Sequence, residues 1–321
     1  MATKILITGA TGFVGSHLTE YLIDKYSDNE FYGTYLSDNG LKNLEAVKNR
    51  IKLSKLDLSS EKEVYELMGG IKPDIVYHLA AMASVADSFS SPKEQVVNNI
   101  SSQINILEAL RKFNLEQSKL LVISSAEVYG DVSKENLPID EDTPFRPTNP
   151  YAVSKLTQDF LGLQYFLSYN LNTIRVRPFN HIGPRQSPGF VVAAFAKKIV
   201  EIEKGKRKNI LTVGNLEAKR DFTDVKDMVR AYDLAMSKGI AGDVYNLGSG
   251  VSYKISDILN ILLSLSEAEI KVEVDKSLLR PIDTPDLVCD PTKFEKLTGW
   301  KPEVKIEQTL KDTLDYWRNI I

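Results

Sequence analysis

Lys4-Ile5-Leu6-Ile7-Thr8-Gly9-Ala10-Thr11-Gly12-Phe13-Val14-Gly15-Ser16-His17-Leu18 reads as a strand, a glycine-rich turn and the first turns of a helix. Ile5, Leu6 and Ile7 form the short apolar run that a buried parallel strand needs. Gly9, Gly12 and Gly15 follow at a spacing of three. Gly9 can take backbone angles barred to other residues, and Gly12 lets a ligand approach the main chain. Gly15 lets the helix lie close to the strand. The helix N-terminus offers free N–H groups and a positive dipole end to a pyrophosphate. Three glycines alone are weak evidence. Placed after a strand and before a helix with Phe13, Val14 and Leu18 on its apolar side, they are strong evidence. The bland alternative is an ordinary glycine-rich strand–helix turn.

Working outward, strand and helix patterns alternate. Strand-like runs lie at Lys4–Thr8, Glu30–Tyr35, Ile51–Lys55, Asp74–His78, Lys119–Ser124 and Asn172–Arg177. Helix-like runs lie at Phe13–Tyr26, Glu61–Met68, Pro92–Phe113 and Pro150–Tyr169. The alternation predicts an α/β fold, a Rossmann-type doubly wound parallel sheet covered on both faces. After Arg177 the rhythm breaks: Pro178, Gly183, Pro184, Pro188 and Gly189 crowd one segment. This predicts a crossing into a smaller, mixed α/β substrate-binding domain. Helices are expected there at Phe190–Lys204, Val225–Met236, Ile255–Leu265, Thr292–Leu297 and Ile306–Trp317, and strands at Asn209–Val213 and Asp243–Leu247. Val225–Met236 and Asp243–Leu247 can return to the main sheet. The expected division is therefore 1–177 with 225–249 against 178–224 with 250–321.

Bulk properties narrow the function. The chain has 321 residues, of which 43% are apolar, enough for a sizeable core. Its net charge of −3 carries no basic stripe of the kind a nucleic-acid groove shows. The single cysteine, Cys289, excludes a disulfide framework and fits a reducing compartment. One cysteine and three scattered histidines, His17, His78 and His181, do not make the spacing of a zinc site, and no metal is expected. No apolar run approaches the roughly 20 residues of a membrane span, and the chain begins directly with a strand. We expect a cytoplasmic protein without membrane or nucleic-acid partners.

Tyr151-Ala152-Val153-Ser154-Lys155 places a tyrosine and a lysine at i and i+4 on one helix face. A lysine beside a phenol favours the phenolate, lowering a pKa that starts near about 10. Such a pair passes protons to or from a substrate oxygen near neutral pH. Tyr21 and Lys25 repeat the spacing, but on the first helix beyond the glycine turn, where a surface pair is expected. Tyr151 instead opens the helix after the Pro147-Thr148-Asn149-Pro150 turn. The fifth strand ends in Ser124-Ser125-Ala126-Glu127-Val128-Tyr129-Gly130. Residues at the carboxyl end of a parallel strand face the ligand crevice. Ser125 can donate to a carbonyl or alkoxide there. Glu127 can act as a base or bind sugar hydroxyls.

The glycine turn, His78-Leu79-Ala80-Ala81, Asn99, Ser125 through Gly130 and the Tyr151/Lys155 pair resemble, in order and spacing, the extended short-chain dehydrogenase/reductase superfamily of nucleotide-sugar epimerases, dehydratases and reductases. The resemblance implies a catalytic set of Ser125, Tyr151 and Lys155. It implies a nicotinamide cofactor, NADP or NAD, held by Gly9, Thr11, Gly12, Phe13, Val14, Gly15, Leu79, Ala80, Ala81 and Asn99, with Asp57 and Leu58 at the adenine. Three stretches, Arg177 through Val191, Val213 through Val225, and Leu279-Arg280-Pro281, resemble GDP-4-keto-6-deoxy-mannose reductases. They imply a GDP-linked deoxy-keto-sugar held by Asn180, Asn215, Arg220 and Arg280, with Ser84, Val191 and Asp283 beside it. An arginine fork suits diphosphate oxygens, and asparagine suits sugar or base edges. Asp283 stands where these families often have glutamate. His181 is expected to order its loop. Arg185 and Lys197 read equally well as surface charges.

Dehydratases of the family carry Thr-Asp-Glu or Thr-Ser-Glu where this chain has Ser125-Ala126-Glu127. Elimination of water needs a base and a donor for the departing hydroxyl. Glu127 is retained, but Ala126 can neither donate nor accept. Reduction is therefore favoured; a 4,6-dehydratase, a 4-epimerase and a non-catalytic nucleotide-sugar sensor stay open. The second strand ends Tyr35-Leu36-Ser37-Asp38. It places neither an acid for a ribose hydroxyl nor an arginine for a phosphate directly at its tip, so a site that accepts both cofactors is expected. Helices 92–113 and 150–169 carry apolar faces that family members use to form a homodimer.

Overall fold

The computed structural model describes residues 2–275, 278 and 284–321. The first half runs β1 (Lys4–Thr8), α1 (Phe13–Lys25), β2 (Glu30–Tyr35), β3 (Ile51–Lys55), α2 (Glu61–Ile71), β4 (Ile75–His78), α3 (Val85–Ser90), α4 (Pro92–Lys112), β5 (Lys119–Ile123), α5 (Pro150–Tyr169) and β6 (Thr173–Pro178). The second half runs β7 (Asn180–Ile182), α6 (Val191–Glu203), β8 (Ile210–Val213), β9 (Lys219–Asp224), α7 (Val225–Lys238), β10 (Val244–Leu247), β11 (Ser252–Lys254), α8 (Ile255–Ser264), β12 (Lys271–Val274), β13 (Asp286–Leu287), α9 (Thr292–Thr298) and α10 (Ile306–Ile320).

Seven strands form the main sheet in the order β10-β6-β5-β4-β1-β2-β3, every neighbour parallel. The expected α/β, doubly wound fold is the one observed. The strand read first explains why. Ile5 and Ile7 point into a core with Leu18 and Leu22 of α1 and Met228 and Tyr232 of α7. Leu6 points the other way, into Val64 and Met68 of α2 and Leu107 and Leu110 of α4. An apolar run without alternation is what a strand buried on both faces requires. The chain leaves β1 towards β2 and β3, then returns to β4 on the opposite side. That reversal opens a crevice at the carboxyl ends of β1 and β4.

Against one flank, β9 pairs in parallel with β7 and β13 and antiparallel with β11. β8 pairs with β12. Val192, Phe195 and Ile199 of α6, Leu259 of α8, and Leu310 and Trp317 of α10 make a second core. β7, β9, β11, β12 and β13, the 3₁₀ stretch Asp38–Arg50 and α3 were not anticipated from the sequence. The new strands are short, and β9 reads Lys-Arg-Asp-Phe-Thr-Asp. From Arg220 to Asp224 it is nonetheless buried, and tertiary partners hold its two aspartates. Asp221 accepts from the backbone of Ser249, Gly250 and Cys289 and from the Ser249 hydroxyl. α2 runs through Gly69 and Gly70 to Ile71, past the expected end at Met68. A Cβ on Gly69 would stand 2.8 Å from the Phe113 ring, so this glycine permits close packing and does not end the helix.

Candidate active site

The turn after β1 fixes the entrance. Gly9 takes φ +66° and a Cβ there would meet the Ala80 backbone at 3.1 Å. Gly12 donates to the Gly9 carbonyl at 3.0 Å. A Cβ on Gly15 would lie 2.1 Å from that same carbonyl, so α1 can approach β1 only because residue 15 has none. No side chain caps α1, and its first amides stay available to a ligand. The turn is a cradle that side chains would fill, which fits the diphosphate of a dinucleotide.

From this turn a cleft of about 1230 Å³ runs between the sheet and the second core. Its wall gathers Gly9, Thr11, Gly12, Phe13, Val14, Gly15, Asp57, Leu58, Leu79, Ala80 and Ala81 at one end. Ser84, Ser125, Glu127, Tyr151 and Lys155 line it, as do Asn180, Val191, Asn215 and Arg220. Residues far apart in sequence thus meet on one surface. Asn99 departs from the expectation. It is fully buried behind the wall, where its side chain bonds both polar groups of the Met82 backbone and the Ser154 hydroxyl. It supports the cleft and does not line it. Arg280 and Asp283 lie outside the described residues.

At the tip of β2, Tyr35, Leu36, Ser37 and Gly40 reach the cleft. Asp38 turns to Lys55 at 2.9 Å. Asp57 spends one carboxylate oxygen on the Ser59 amide at 2.9 Å. His78 stands behind the wall, its Nδ1 3.0 Å from the Thr8 hydroxyl. Burial, with the Lys155 charge, pulls its pKa down to about 3, so it stays neutral.

The start of α5 places the central pair. Asn149 caps the helix through the Ala152 amide at 2.8 Å and donates to the Glu127 carboxylate at 3.1 Å. Pro150 opens the first turn, where its missing N–H costs nothing. Tyr151 is nearly buried and shares the cleft wall with Ser125. Lys155 donates to the Ile123 carbonyl at 2.8 Å and to Gln158 Oε1 at 2.9 Å. The expected lowering of the phenol pKa is not observed. Burial pushes Tyr151 up to about 12; the nearby Ser125 side chain opposes this and the Glu127 charge adds to it. Lys155, turned to neutral acceptors in a dry site, falls to about 7 through burial.

Three residues of this neighbourhood escaped the sequence reading. Gln158 lies three residues beyond Lys155 and holds its ammonium; that spacing was the available signal. Asn149 links the cap to Glu127. Lys198 lines the cleft and donates to the Thr212 carbonyl at 2.9 Å. It sits seven residues from Val191, on the same face of α6. Its neighbour Lys197 bonds Glu201 on the helix surface. Arg185 pairs with Glu20.

The family described as GDP-mannose 4,6 dehydratase matches residues 6–313. The chain belongs to that family. It is 34% identical over 319 residues to the GDP-6-deoxy-D-mannose reductase of Pseudomonas aeruginosa, covering 99% of this chain and 98% of that one. It is 28% identical over 344 residues to the GDP-mannose 4,6-dehydratase of Vibrio cholerae serotype O1, covering 96% and 91%. The solved structure of RMD from Pseudomonas aeruginosa complexed with NADPH superposes with a TM-score of 0.85 at 32% identity, covering all of both chains.

Proposed function

We propose that this chain is an NAD(P)H-dependent oxidoreductase that reduces the C4 ketone of a GDP-4-keto-6-deoxy-sugar, giving a GDP-6-deoxy-D-mannose or rhamnose product. The carrying observation is that Ser125, Tyr151 and Lys155 meet on the cleft wall, with a buried alanine, Ala126, between Ser125 and Glu127. The likeness to the Pseudomonas reductase supports the same reading. A nicotinamide dinucleotide, when bound, supplies the hydride. Gly9 through Gly15, Leu79, Ala80, Ala81 and Asp57 would hold it, and the cradle at the glycine turn fits either NADP or NAD. Ser125 and Tyr151 grip the ketone oxygen, where negative charge develops, so their hydrogen bonds strengthen in the transition state. Tyr151, kept neutral by burial, has a proton to give. Lys155 holds the nicotinamide ribose. Glu127, bonded to Asn149, orients the sugar. Asn180, Val191, Asn215 and Arg220 hold the nucleotide, with Ser84 near the sugar. On this reading residues 1–177 with 225–249 take the dinucleotide, and 178–224 with 250–321 take the nucleotide sugar.

A second reading, the 4,6-dehydratase, is favoured by one observation: Glu127 does line the cleft. The test separates them. With the 4-keto-6-deoxy sugar nucleotide and NADPH, mass analysis should find the alcohol. With GDP-mannose and oxidised cofactor alone, steady formation of the 4-keto-6-deoxy product would overturn the reductase.

We also infer a homodimer through α4 and α5, whose Val97, Val153, Phe160 and Leu167 stay exposed. A monomeric mass in solution scattering would sink that. No helix among the described residues is long and apolar enough to cross a membrane; a cytoplasmic enzyme fits this and the single buried thiol of Cys289.

A further inference from the structure

Along one flank of the cleft, α1 is laddered to the loop that follows β7. Phe13 stacks on His181 with ring centres 6.0 Å apart and planes within 13°. Phe13 also meets His17 edge-on at 5.8 Å. His17 Nε2 donates to the Pro184 carbonyl at 3.0 Å; a carbonyl can only accept, which fixes the tautomer. Arg185 then lays both terminal nitrogens on the Glu20 carboxylate, each at 2.9 Å. That fork is sheltered, its side chains 22% and 28% exposed. Gln186 closes the loop onto the His181 carbonyl at 3.0 Å.

The backbone says that something holds this loop. Arg185 takes φ +73°. A left-handed conformation is unfavourable for a residue with a Cβ and persists where surrounding contacts over-determine it. The Glu20 fork and the His17 bond on the preceding residue are those contacts. The two ends of the ladder also differ in what they touch. Phe13 belongs to the glycine turn and lines the dinucleotide end of the cleft. The loop runs on into Pro188, Gly189, Phe190 and Val191, which line the far end.

We propose that Glu20 and Arg185 are positioning residues that couple the two ends of the cleft. A dinucleotide seated on the glycine turn restrains the first turns of α1, and the ladder passes that restraint to the loop that meets the nucleotide sugar. Cofactor and nucleotide therefore tighten each other's binding, a reciprocity that linkage requires. The identity of the two ligands rests on the function proposed above.

Calorimetric titration with GDP, with and without saturating NADPH, reads the coupling. In the wild type NADPH should tighten GDP about fivefold or more. Arg185→Gly removes the fork yet suits the backbone angle, and Glu20→Gln removes the charge but keeps the shape. Both should bring the ratio below about twofold, with the NADPH affinity and thermal midpoint little changed. Arg185→Lys, which keeps a charge but not a fork, should fall between. The same ratio in wild type and both variants, or no coupling in the wild type, would overturn the proposal. Hydrogen exchange reads the ladder without any nucleotide sugar. NADPH should slow exchange at 183–190 in the wild type and not in Arg185→Gly; equal slowing in both would overturn it. A wild type that takes up no GDP at all would instead sink the nucleotide-sugar reading, and the exchange result would then decide the ladder.

Discussion

Two tyrosine–lysine pairs share one spacing in this molecule and end in opposite electrostatic states. On α1, Lys25 donates to Tyr21 at 3.2 Å and to Asp233 at 2.6 Å. On α5, Lys155 donates to the Ile123 carbonyl and Gln158 and, among the described residues, bonds no phenol and no carboxylate. Burial alone would lower the Lys25 pKa, but the hydrogen bonds to Asp233 and Tyr21 outweigh it and the pKa is raised. For Lys155 nothing offsets burial, and the pKa falls to about 7. The i, i+4 pattern sets which face a pair shares; a nearby acid decides whether the lysine keeps its charge. The lysine held only by neutral acceptors among the described residues is the one that lines the cleft, where an anionic ligand can supply what the protein withholds.

The sharpest way to break this contrast is to remove each phenol hydroxyl. Tyr151→Phe keeps the ring and loses the proton donor. It should lower kcat by about 10²–10⁴-fold, the usual worth of a positioned acid, with GDP affinity nearly unchanged. Tyr21→Phe loses a long bond of 3.4 Å to Asp233 and should leave kcat within about twofold. Steady-state kinetics on both variants checks this. Equal losses would mean that the cleft position confers no special role.

A second contrast is one of sign. Lys155 is buried, with a folded pKa of about 7, below its unfolded value. Between the two values the unfolded chain binds more protons, so stability rises with pH through that window. Below about pH 7 the buried charge is present and its penalty is full. Lys155→Met should therefore stabilise the protein at pH 6, on the order of 2–3 kcal/mol, with the gain shrinking towards pH 10. Lys25→Met should do the reverse. It leaves the Asp233 carboxylate, only 4% exposed, without its cation. Because Lys25 itself is 41% exposed, solvent limits the loss to about 1 kcal/mol. Denaturant titrations at the two pH values check both signs.

These differences show what a sequence exposes and what it hides. The strand Ile5-Leu6-Ile7, the glycine turn and the alternation up to β6 were legible because burial on two faces writes itself as an apolar run. The strand-end serine and the helix-start tyrosine followed from position. The state of Lys155 was not legible, because it depends on Gln158 and on how dry the site is, both products of packing. β9 was hidden for a related reason: Arg220, Asp221 and Asp224 are buried with partners more than 25 residues away, such as Ser249 on Asp221. Asn99 reads as a cofactor ligand in the sequence, and only the fold shows that Met82 and Ser154 occupy its amide behind the wall.

The smallest expected effect bears on the charge that the cleft borrows. A ribose hydroxyl that accepts from Lys155, with the dinucleotide's negative charge in the same cleft, favours the ammonium, so binding should draw a proton onto it once pH exceeds about 7. NADH is the suitable probe, because its diphosphate keeps its charge across this range. Its affinity should hold level below pH 6.5 and weaken by up to about tenfold by pH 8.5, as the free enzyme's lysine loses its proton. Lys155→Met should flatten the profile, whereas Lys25→Met should leave it intact, since Lys25 stays charged throughout and its partner is Asp233. Gln158→Leu sharpens the test. It removes one acceptor at 2.9 Å from the ammonium, which disfavours the charged form further and should move the midpoint to lower pH. Fluorescence titration of NADH at four pH values is sufficient. A pH-independent wild type would mean that Lys155 meets the cofactor without its charge, and the difference between the two pairs would then be one of packing alone.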